Sequence, residues 1–495
     1  MENNAEKKYI CIVGGGISGM TAAHTLHEKG HRVTVFERGR SISFTKGRSV
    51  TPPQFDHGLG GKCCSPKING KAYEMGACSC SPGFSTILEM ARKYGAPLRK
   101  RMPFRVVVPG GGRHSFRSVY WPARATFSII REMAVYLRHV LSFARRCDRK
   151  TAYRNIPEQW RVSFADFCRR HDLVYIPQWL ELPVVSFGYG TLDEIETWFV
   201  FNYITAVNFL GIAFFLILAG RPPVRRLDQG YEDLVTRMGA HLDVRTRHEV
   251  VGIDRSNGVR ISVSRAGEPA LLQYDFDALV LSVPLPLLKG VLDFSETEQF
   301  LARQIHISPY TIVACEIQGV DDQCLLVRHQ VHAPGHVALI EETVEGTRGF
   351  CVCYIPEKRS NRSHEEIVTA LERDLKEINA GLIKVHAIKK WNYFPRFKDA
   401  DLYQTLQGLQ GVDNTFYVGG IAKFELAERV AAHARGLMDG AFDGIRKKER
   451  LTVLKNLWFY YMKSRSPVKS GAIFSTGHKL VTKSKKDLQR DSVNP

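Results

Sequence analysis

The sequence predicts an α/β chain, α+β overall. A parallel-sheet domain is assembled from separated segments, and a mixed sheet and helix domain is inserted between them. Three observations predict this. A strand, a glycine-rich turn, a helix and a second strand ending in an acid follow one another over Lys8–Glu37. A second strand running into glycines, then a helix, stands near the far end at Asn414–Gly420. Between them lie a helical, basic stretch and a stretch of short apolar strands. At 495 residues the chain exceeds one simple core, so two joined domains are expected.

Lys8–Val13 reads as a buried strand, and Gly14-Gly15-Gly16-Ile17-Ser18-Gly19 follows it as a G-x-G-x-x-G turn. A helix is expected from Met20 to Lys29, with Ala22, Ala23, Leu26 and His27 on its packing side and Gly30 as its cap. His31–Phe36 forms the second strand, ended by Glu37. Each part has a task in a Rossmann-like unit. Gly14 permits the tight turn, Gly16 lets a pyrophosphate approach the backbone, and Gly19 lets helix and strand pack closely. The helix start, with Ile17 and Ser18, offers free N–H groups and a favourable dipole to phosphate. Glu37, with Arg38 beside it, stands where an acid accepts hydrogen bonds from ribose hydroxyls and repels a 2′-phosphate.

The fingerprint does not choose between NAD and FAD; two further segments do. Leu59-Gly60-Gly61-Lys62 follows soon after the acid, in a loop rich in Gly and Pro. Near the end, Asn414–Gly420 is a strand running into Gly419-Gly420, and a helix is expected from about Glu425 to Phe442. Its N-terminus suits the pyrimidine end of a flavin, where negative charge develops on reduction. Gly110-Gly111-Gly112 reads as a hairpin turn, so no dedicated NAD(P)H site is expected. FAD is the expected cofactor, with Gly60, Gly61, Lys62, Gly419 and Gly420 as further contacts.

With these segments the chain resembles the flavin-dependent amine oxidase superfamily, over nearly its whole length. Val244–Ile253 and Ala278–Pro284 carry the likeness as well. The resemblance implies that Val250–Ile253, with Val251 as the candidate, touches the adenine side through its backbone. Within the superfamily the chain is most similar to polyunsaturated fatty acid double-bond isomerases and β-cyclopiazonate dehydrogenase-like enzymes. That likeness rests on Gly60–Cys63, Tyr73–Ala77, Phe187–Gly190, Trp391-x-Tyr393-Phe394-Pro395, and Gly419-Gly420 followed by Phe424-Glu425 and Glu428. It makes Phe424 a candidate cofactor contact and Phe187, Tyr189 and Tyr393 candidate pocket residues. The chain departs from the superfamily in three ways. The loop between Glu37 and Gly60 is longer. No cysteine follows Cys353, so the C-terminal cysteinyl–flavin link of monoamine oxidases has no residue here, and FAD is expected non-covalently bound. No aromatic cage for an amine can be located.

The expected domain order is 1–96, 225–290 and 399–445 for the cofactor domain. A helical substrate domain is expected over 97–224, its sheet part over 291–398, and a basic tail over 446–495. In the helical part, Ser163 is a plausible cap for Ser163–Arg170, with Asp166 three residues on. Phe187-Gly188-Tyr189-Gly190 is either a packing corner or a pocket loop. Trp198–Gly220 has no charged residue. By length it is a membrane-span candidate, but one span would put the two halves of the cofactor domain on opposite sides of a membrane. A buried helix or helix pair walling an apolar pocket is therefore expected, with a shallow membrane contact as the alternative. In the sheet part, strands are expected at 309–318, 337–342, 349–354 and 383–392, with a covering helix from about His364 to Asn379.

Composition bounds the chemistry. The formal charge is +19, and 446–495 carries thirteen Lys/Arg against three Asp/Glu. This tail is read as solvated, or as touching an anionic membrane or other acidic partner. Nucleic acid is not expected, because no nucleic-acid fold accompanies the charge. The eleven cysteines form no Cys-x-x-Cys pair, so neither a disulfide framework nor a metal site is expected. Cys78-x-Cys80 and Cys351-x-Cys353 alternate like strand residues and read as buried thiols. An intracellular, cytoplasmic setting is expected, with peripheral membrane contact as an option. The expected activity is FAD-dependent hydride abstraction from a C–H or C–N centre of a hydrophobic small molecule. The rival readings are a redox-neutral double-bond isomerase of polyunsaturated fatty acids and a non-catalytic, membrane-associated FAD protein. No acid–base pair can be named; Lys62, Arg48, Tyr189, Tyr393 and Glu425 are candidates to lie near flavin or substrate.

Overall fold

The computed structural model describes residues 7–442 apart from 47–48, 51–53, 57, 101–103, 109, 149–151, 154, 215–223, 321–323, 328–332, 343–348 and 360. Arg48, 215–220 of the uncharged stretch and the 446–495 tail lie outside the described residues.

Tyr9–Val13 is the centre of a five-stranded, all-parallel sheet. The order is Asp243–Thr246, Arg32–Glu37, Tyr9–Val13, Ala278–Leu281 and Thr415–Tyr417. The central strands are apolar at nearly every position because both faces are covered. The first helix, Ile17–Glu28, and the last, Ala427–Phe442, pack together on one face. Met20, Leu26, Ala431 and Met438 meet Ile10, Ile12, Val33, Val35 and Val280 there. Each fully buried Ile, Leu or Met contributes about 1.5–3 kcal/mol. Both helices depart from expectation at their starts. The first begins at Ile17, not Met20, because the glycine fingerprint itself forms the first turn. The last begins at Ala427, which leaves Glu425 in the preceding loop.

The second sheet has ten strands and is mostly antiparallel. His306–Gln318 and Gly381–Arg396 are its long central pair. Alternation along the strands divides its faces. Val313, Cys315, Ile340 and Cys353 meet Ile367, Leu371 and Leu375 of the covering helix His364–Glu377. Ile312, Ala314, Val352 and Tyr354 face the other way, toward Tyr73, Met75 and Phe187. Two segments read as loop or helix join this sheet instead. Arg40–Lys46 adds to one side, against Gly381–Arg396. Phe104–Val107 pairs in parallel with Cys324–Val327, a strand too short to show a period. Phe104–Val107 and Arg113–Ser115 make a hairpin around Gly110–Gly112. Cys78 and Cys80 are buried but lie in no strand; only Cys80 bridges, to Arg225. All eleven cysteines are free and buried.

The helical part packs its aromatic side chains inward. Thr197–Tyr203 and Ala206–Phe214 form a pair bent by 67°. Among the described residues no single helix is long and apolar enough to cross a membrane. Asn202 and Asn208 are buried, and Asn202 donates to the Tyr153 hydroxyl at 2.6 Å.

One element foreseen by no pattern is the helix Glu296–Arg303, closed by a capping box of Ser295 and Glu298. Glu298 is buried and accepts both Arg255 Nη1 and Nη2 at 2.9 Å, and the Tyr417 hydroxyl as well. Burial alone would raise its pKa, but the donors from Arg255, Tyr417 and Ser295 outweigh it and hold it at about 2. The folded value lies below the unfolded one. Its stabilisation is therefore complete above pH 4.5 and is lost as pH falls toward 2, at most about 3 kcal/mol. Glu298→Gln should flatten the acid limb of stability measured by urea unfolding against pH. An unchanged acid limb would contradict this assignment.

Candidate active site

The open C-terminal ends of the parallel strands meet beside Tyr9–Val13, where the strand order reverses. A cavity of about 560 Å³ starts there. Gly14 turns with φ +101°, and Ser282 Oγ donates to its carbonyl at 2.8 Å. A Cβ at Gly19 would run into that same carbonyl. At Gly16 a Cβ would meet only the Gly60 carbonyl, at 3.8 Å, so the space beside it is open to the cavity. Gly16 has no side chain to cap the helix, and the first turn carries no acid. The Glu37 carboxylate is buried and accepts Gly15 N–H and Gly39 N–H, each at 2.6 Å.

Gly60 lies in a parallel bridge with Gly16, and Gly60 N–H donates to Gly15 at 2.9 Å. The next segment is held from behind. Met75 N–H donates to Cys64 at 2.8 Å and Ala77 N–H to Lys62 at 2.9 Å. A Cβ at Gly76 would clash with the Lys62 carbonyl, which explains the glycine in Tyr73–Ala77. Glu74 is anchored by Ser65 Oγ at 2.5 Å and by Tyr231 N–H at 3.1 Å; burial pushes its carboxyl up to about 7.

Lys62 and Glu425 meet in the cavity, Nζ to Oε2 at 3.0 Å. Lys62 Nζ also lies 5.5 Å from the centre of the Tyr393 ring. The Glu425 carboxylate fills the space beside Gly420 where a Cβ would stand. Its main-chain carbonyl accepts the Tyr189 hydroxyl at 2.8 Å, and Tyr393 OH donates to Tyr189 OH at 3.2 Å. Burial pushes both phenols well up, keeping them neutral donors. Phe394 takes φ +47°, rare for a bulky residue. This turn sends Tyr393 into the cavity while Phe394 packs on Tyr189 and Phe424. Glu428 accepts Thr86 N–H and Ile87 N–H, at 3.0 and 2.9 Å, and so caps the helix Ser85–Lys93 from the far end of the chain.

The cavity wall thus carries Gly14, Gly16, Ile17, Ser18, Glu37, Arg38, Gly60, Gly61, Lys62, Gly419 and Gly420, with Phe187, Tyr189, Tyr393 and Glu425. Three expected contacts are not on it. Gly19 is turned into the helix–strand packing, the task foreseen for it. Phe424 is fully buried behind the wall, stacked on Tyr189 with ring centres 4.8 Å apart. Val251 is the extra residue of a bulge between His248–Asp254 and Val259–Arg265, away from the wall. Phe187-Gly188-Tyr189-Gly190 serves both readings at once. Gly188, with φ +79°, leaves room for the Tyr310 ring, while its neighbours line the cavity.

Tyr203 and Ile212 come from the stretch expected to wall an apolar pocket, whereas sequence reasoning missed the rest of the far wall: Phe104, Phe116, Trp179 and Leu182. These residues carry no motif, and only packing brings them together. Tyr310 and Trp391 line the same cavity. Among the described residues no group of His, Cys, Asp and Glu could hold a metal ion.

The sequence matches the family model of flavin containing amine oxidoreductases over residues 55–420. The chain belongs to that family. Its N-terminal part, residues 12–77, also matches an NAD(P)-binding Rossmann-like domain. The fold is shared with a CLA-producing fatty acid isomerase from P. acnes, at 21% identity and TM-score 0.73, over 88% of this chain and 98% of that one. A putrescine oxidase gives 14% and 0.65, over 88% and 98%. Cyclohexylamine oxidase from Brevibacterium oxydans gives 13% and 0.61, over 88% and 99%. No curated protein matches the sequence. The family member is a flavin-dependent oxidoreductase-type enzyme, and the residues present fit that cofactor: an open space beside Gly16, an uncapped helix start, and a buried acid at Glu37.

Proposed function

We propose that the protein holds FAD non-covalently along Gly14–Gly19, Glu37, Gly60–Lys62 and Gly419–Gly420. We propose that it takes a hydride from a C–H or C–N centre of a hydrophobic small molecule, as a dehydrogenase or oxidase. The observation that carries this reading is the continuity of the cavity. The glycine cradle runs into a pocket walled by Phe104, Phe116, Trp179, Leu182 and Ile212. Flavin bound there supplies the hydride acceptor. The chain's own residues exclude water, orient an apolar substrate against the Tyr189–Tyr393 pair, and place the Lys62 ammonium beside the cofactor cradle. The second reading is a redox-neutral double-bond isomerase. It is favoured by the likeness to a protein named as a fatty acid isomerase, at TM-score 0.73.

Purified yellow protein, mixed anaerobically with polyunsaturated fatty acids, amines and indole-type metabolites, separates these. Lasting bleaching by an apolar compound, with hydrogen peroxide formed on admitting air, is the expected result. Isomerised product without bleaching or any acceptor selects the second reading. Colourless protein that takes up no FAD ends both. Acid precipitation should release the flavin into the supernatant; colour retained in the pellet means a covalent bond.

A further inference from the structure

The long helix Thr126–Arg146 has two unlike faces. Ile129, Glu132, Tyr136, Val140 and Phe143 are buried against the helical core. Glu132, its only acid, is spent inside, accepting Tyr175 N–H at 2.8 Å and Ile176 N–H at 3.0 Å. On the opposite side Phe127, Ile130, Arg131, Ala134, Arg138, Leu141 and Arg145 are all exposed. At 3.6 residues per turn these seven fall within about 100° of arc. Phe127 is 85% and Ile130 56% exposed. The arginines recur every seven residues, with Arg124 one step before the helix, so a cationic line runs beside the apolar one. No acid interrupts it.

Neighbouring elements extend the same character. Arg131 Nη2 donates to the Asp172 carbonyl at 2.6 Å, which sets exposed Val174 next to this face. Ala206–Phe214 packs on the long helix through Phe209 and Tyr136, ring centres 4.5 Å apart, and exposes Leu210 and Phe214. Six of the twelve exposed large apolar side chains among the described residues therefore sit on three adjoining elements. Two of those elements also wall the cavity: the helix Tyr175–Ser186, which Val174 precedes, through Trp179 and Leu182, and Ala206–Phe214 through Ile212.

We propose that this face is a docking surface for an anionic lipid bilayer. Apolar residues flanked by arginines on one exposed helix face are what an interfacial helix needs: side chains to enter the acyl boundary and charges to meet lipid phosphates. The exposed side of the long helix carries no acid, and Asp172 beside Arg131 is the one exposed acid next to it, so the excess of arginine fits a negatively charged surface. Docked in this way, the helical wall of the cavity lies against the bilayer, and an apolar substrate need not cross water. The surface stands on its own residues and does not require the proposed reaction.

The test is co-sedimentation of the full chain with phosphatidylcholine vesicles, with and without phosphatidylserine. Binding is expected only to the vesicles containing phosphatidylserine. Each arginine near such a surface contributes about a five-fold factor in partitioning. Arg138→Gln with Arg145→Gln should then weaken binding on the order of thirty-fold, and Phe127→Ser with Leu141→Ser should weaken it independently. All these side chains are exposed, so flavin content and melting temperature should stay unchanged. Wild-type protein that ignores phosphatidylserine overturns the proposal. So does undiminished binding by both variants, which would place the contact elsewhere on the chain. Self-association abolished by the same substitutions also overturns it, because the face would then be covered by a second copy.

Discussion

Gly16→Val is expected to give a folded protein that purifies colourless, whereas Gly19→Ala is expected to fail in folding itself. The two positions lie in one fingerprint, but their surroundings differ. At Gly16 the backbone is extended, with φ −72°, and a Cβ meets only the Gly60 carbonyl, at 3.8 Å. Any residue fits the fold there; what a side chain fills is the open cradle. At Gly19 a Cβ runs into the Gly14 carbonyl and the Ser282 side chain, so helix and strand must part. Overpacking typically costs about 1–3 kcal/mol and occasionally more, and a clash with backbone lies at the upper end. Flavin absorbance per protein and circular-dichroism melting read the two effects separately. A yellow Gly16→Val protein, or a Gly19→Ala protein with wild-type melting, would falsify the assignment.

Arg226→Met is expected to destabilise the protein by about 3–5 kcal/mol, although it lies outside every motif. Arg226 is 1% exposed, and its Nη1 is 3.1 Å from Glu341 Oε1. Glu341 and Glu74 are both buried beside it. Removing the guanidinium leaves the Glu341 carboxylate in the interior without its partner ion. Tyr354 OH bonds Glu341 at 3.3 Å and the Glu74 carbonyl at 3.4 Å, so the cluster joins the large sheet to the segment that supports Lys62. Arg226→Met should therefore also weaken flavin binding. The double variant Arg226→Met with Glu341→Leu should recover most of the loss, since it leaves only Glu74, whose carboxyl burial already pushes up to about 7 and which takes up a proton once the guanidinium is gone. Urea unfolding curves of the three proteins decide this. A single variant as stable as wild type would sink it.

The cofactor end was legible because its chemistry is local. Gly14, Gly16, Gly19 and Glu37 are spaced by one turn and one helix, and each has a backbone reason to be what it is. The second glycine pair, Gly419-Gly420, was legible for the same reason. Its helix start was placed two residues early, because Glu425 reads as a first-turn acid until its carboxylate is seen against Lys62. Phe424 and Val251 show where reading by likeness ends. Both are in motif segments, but one is turned behind the wall and the other sits on a bulge.

By itself the sequence determined the α/β class, the glycine-rich turn, the acid at the end of the second strand and the expectation of a flavin. It also determined that Trp198–Gly220 carries no charge, and 197–203 and 206–214 form the buried helix pair expected there. Tertiary structure decided most of the substrate end. Phe104, Trp179, Tyr203, Tyr310 and Trp391 come from five separate elements and share no spacing. The Lys62–Glu425 pair and the buried Arg226 cluster likewise join residues far apart in the chain. Local pattern records the conformation that each segment prefers. It does not record which distant side chains packing will bring together, and in this protein the pocket beyond the cofactor cradle is built almost entirely of those.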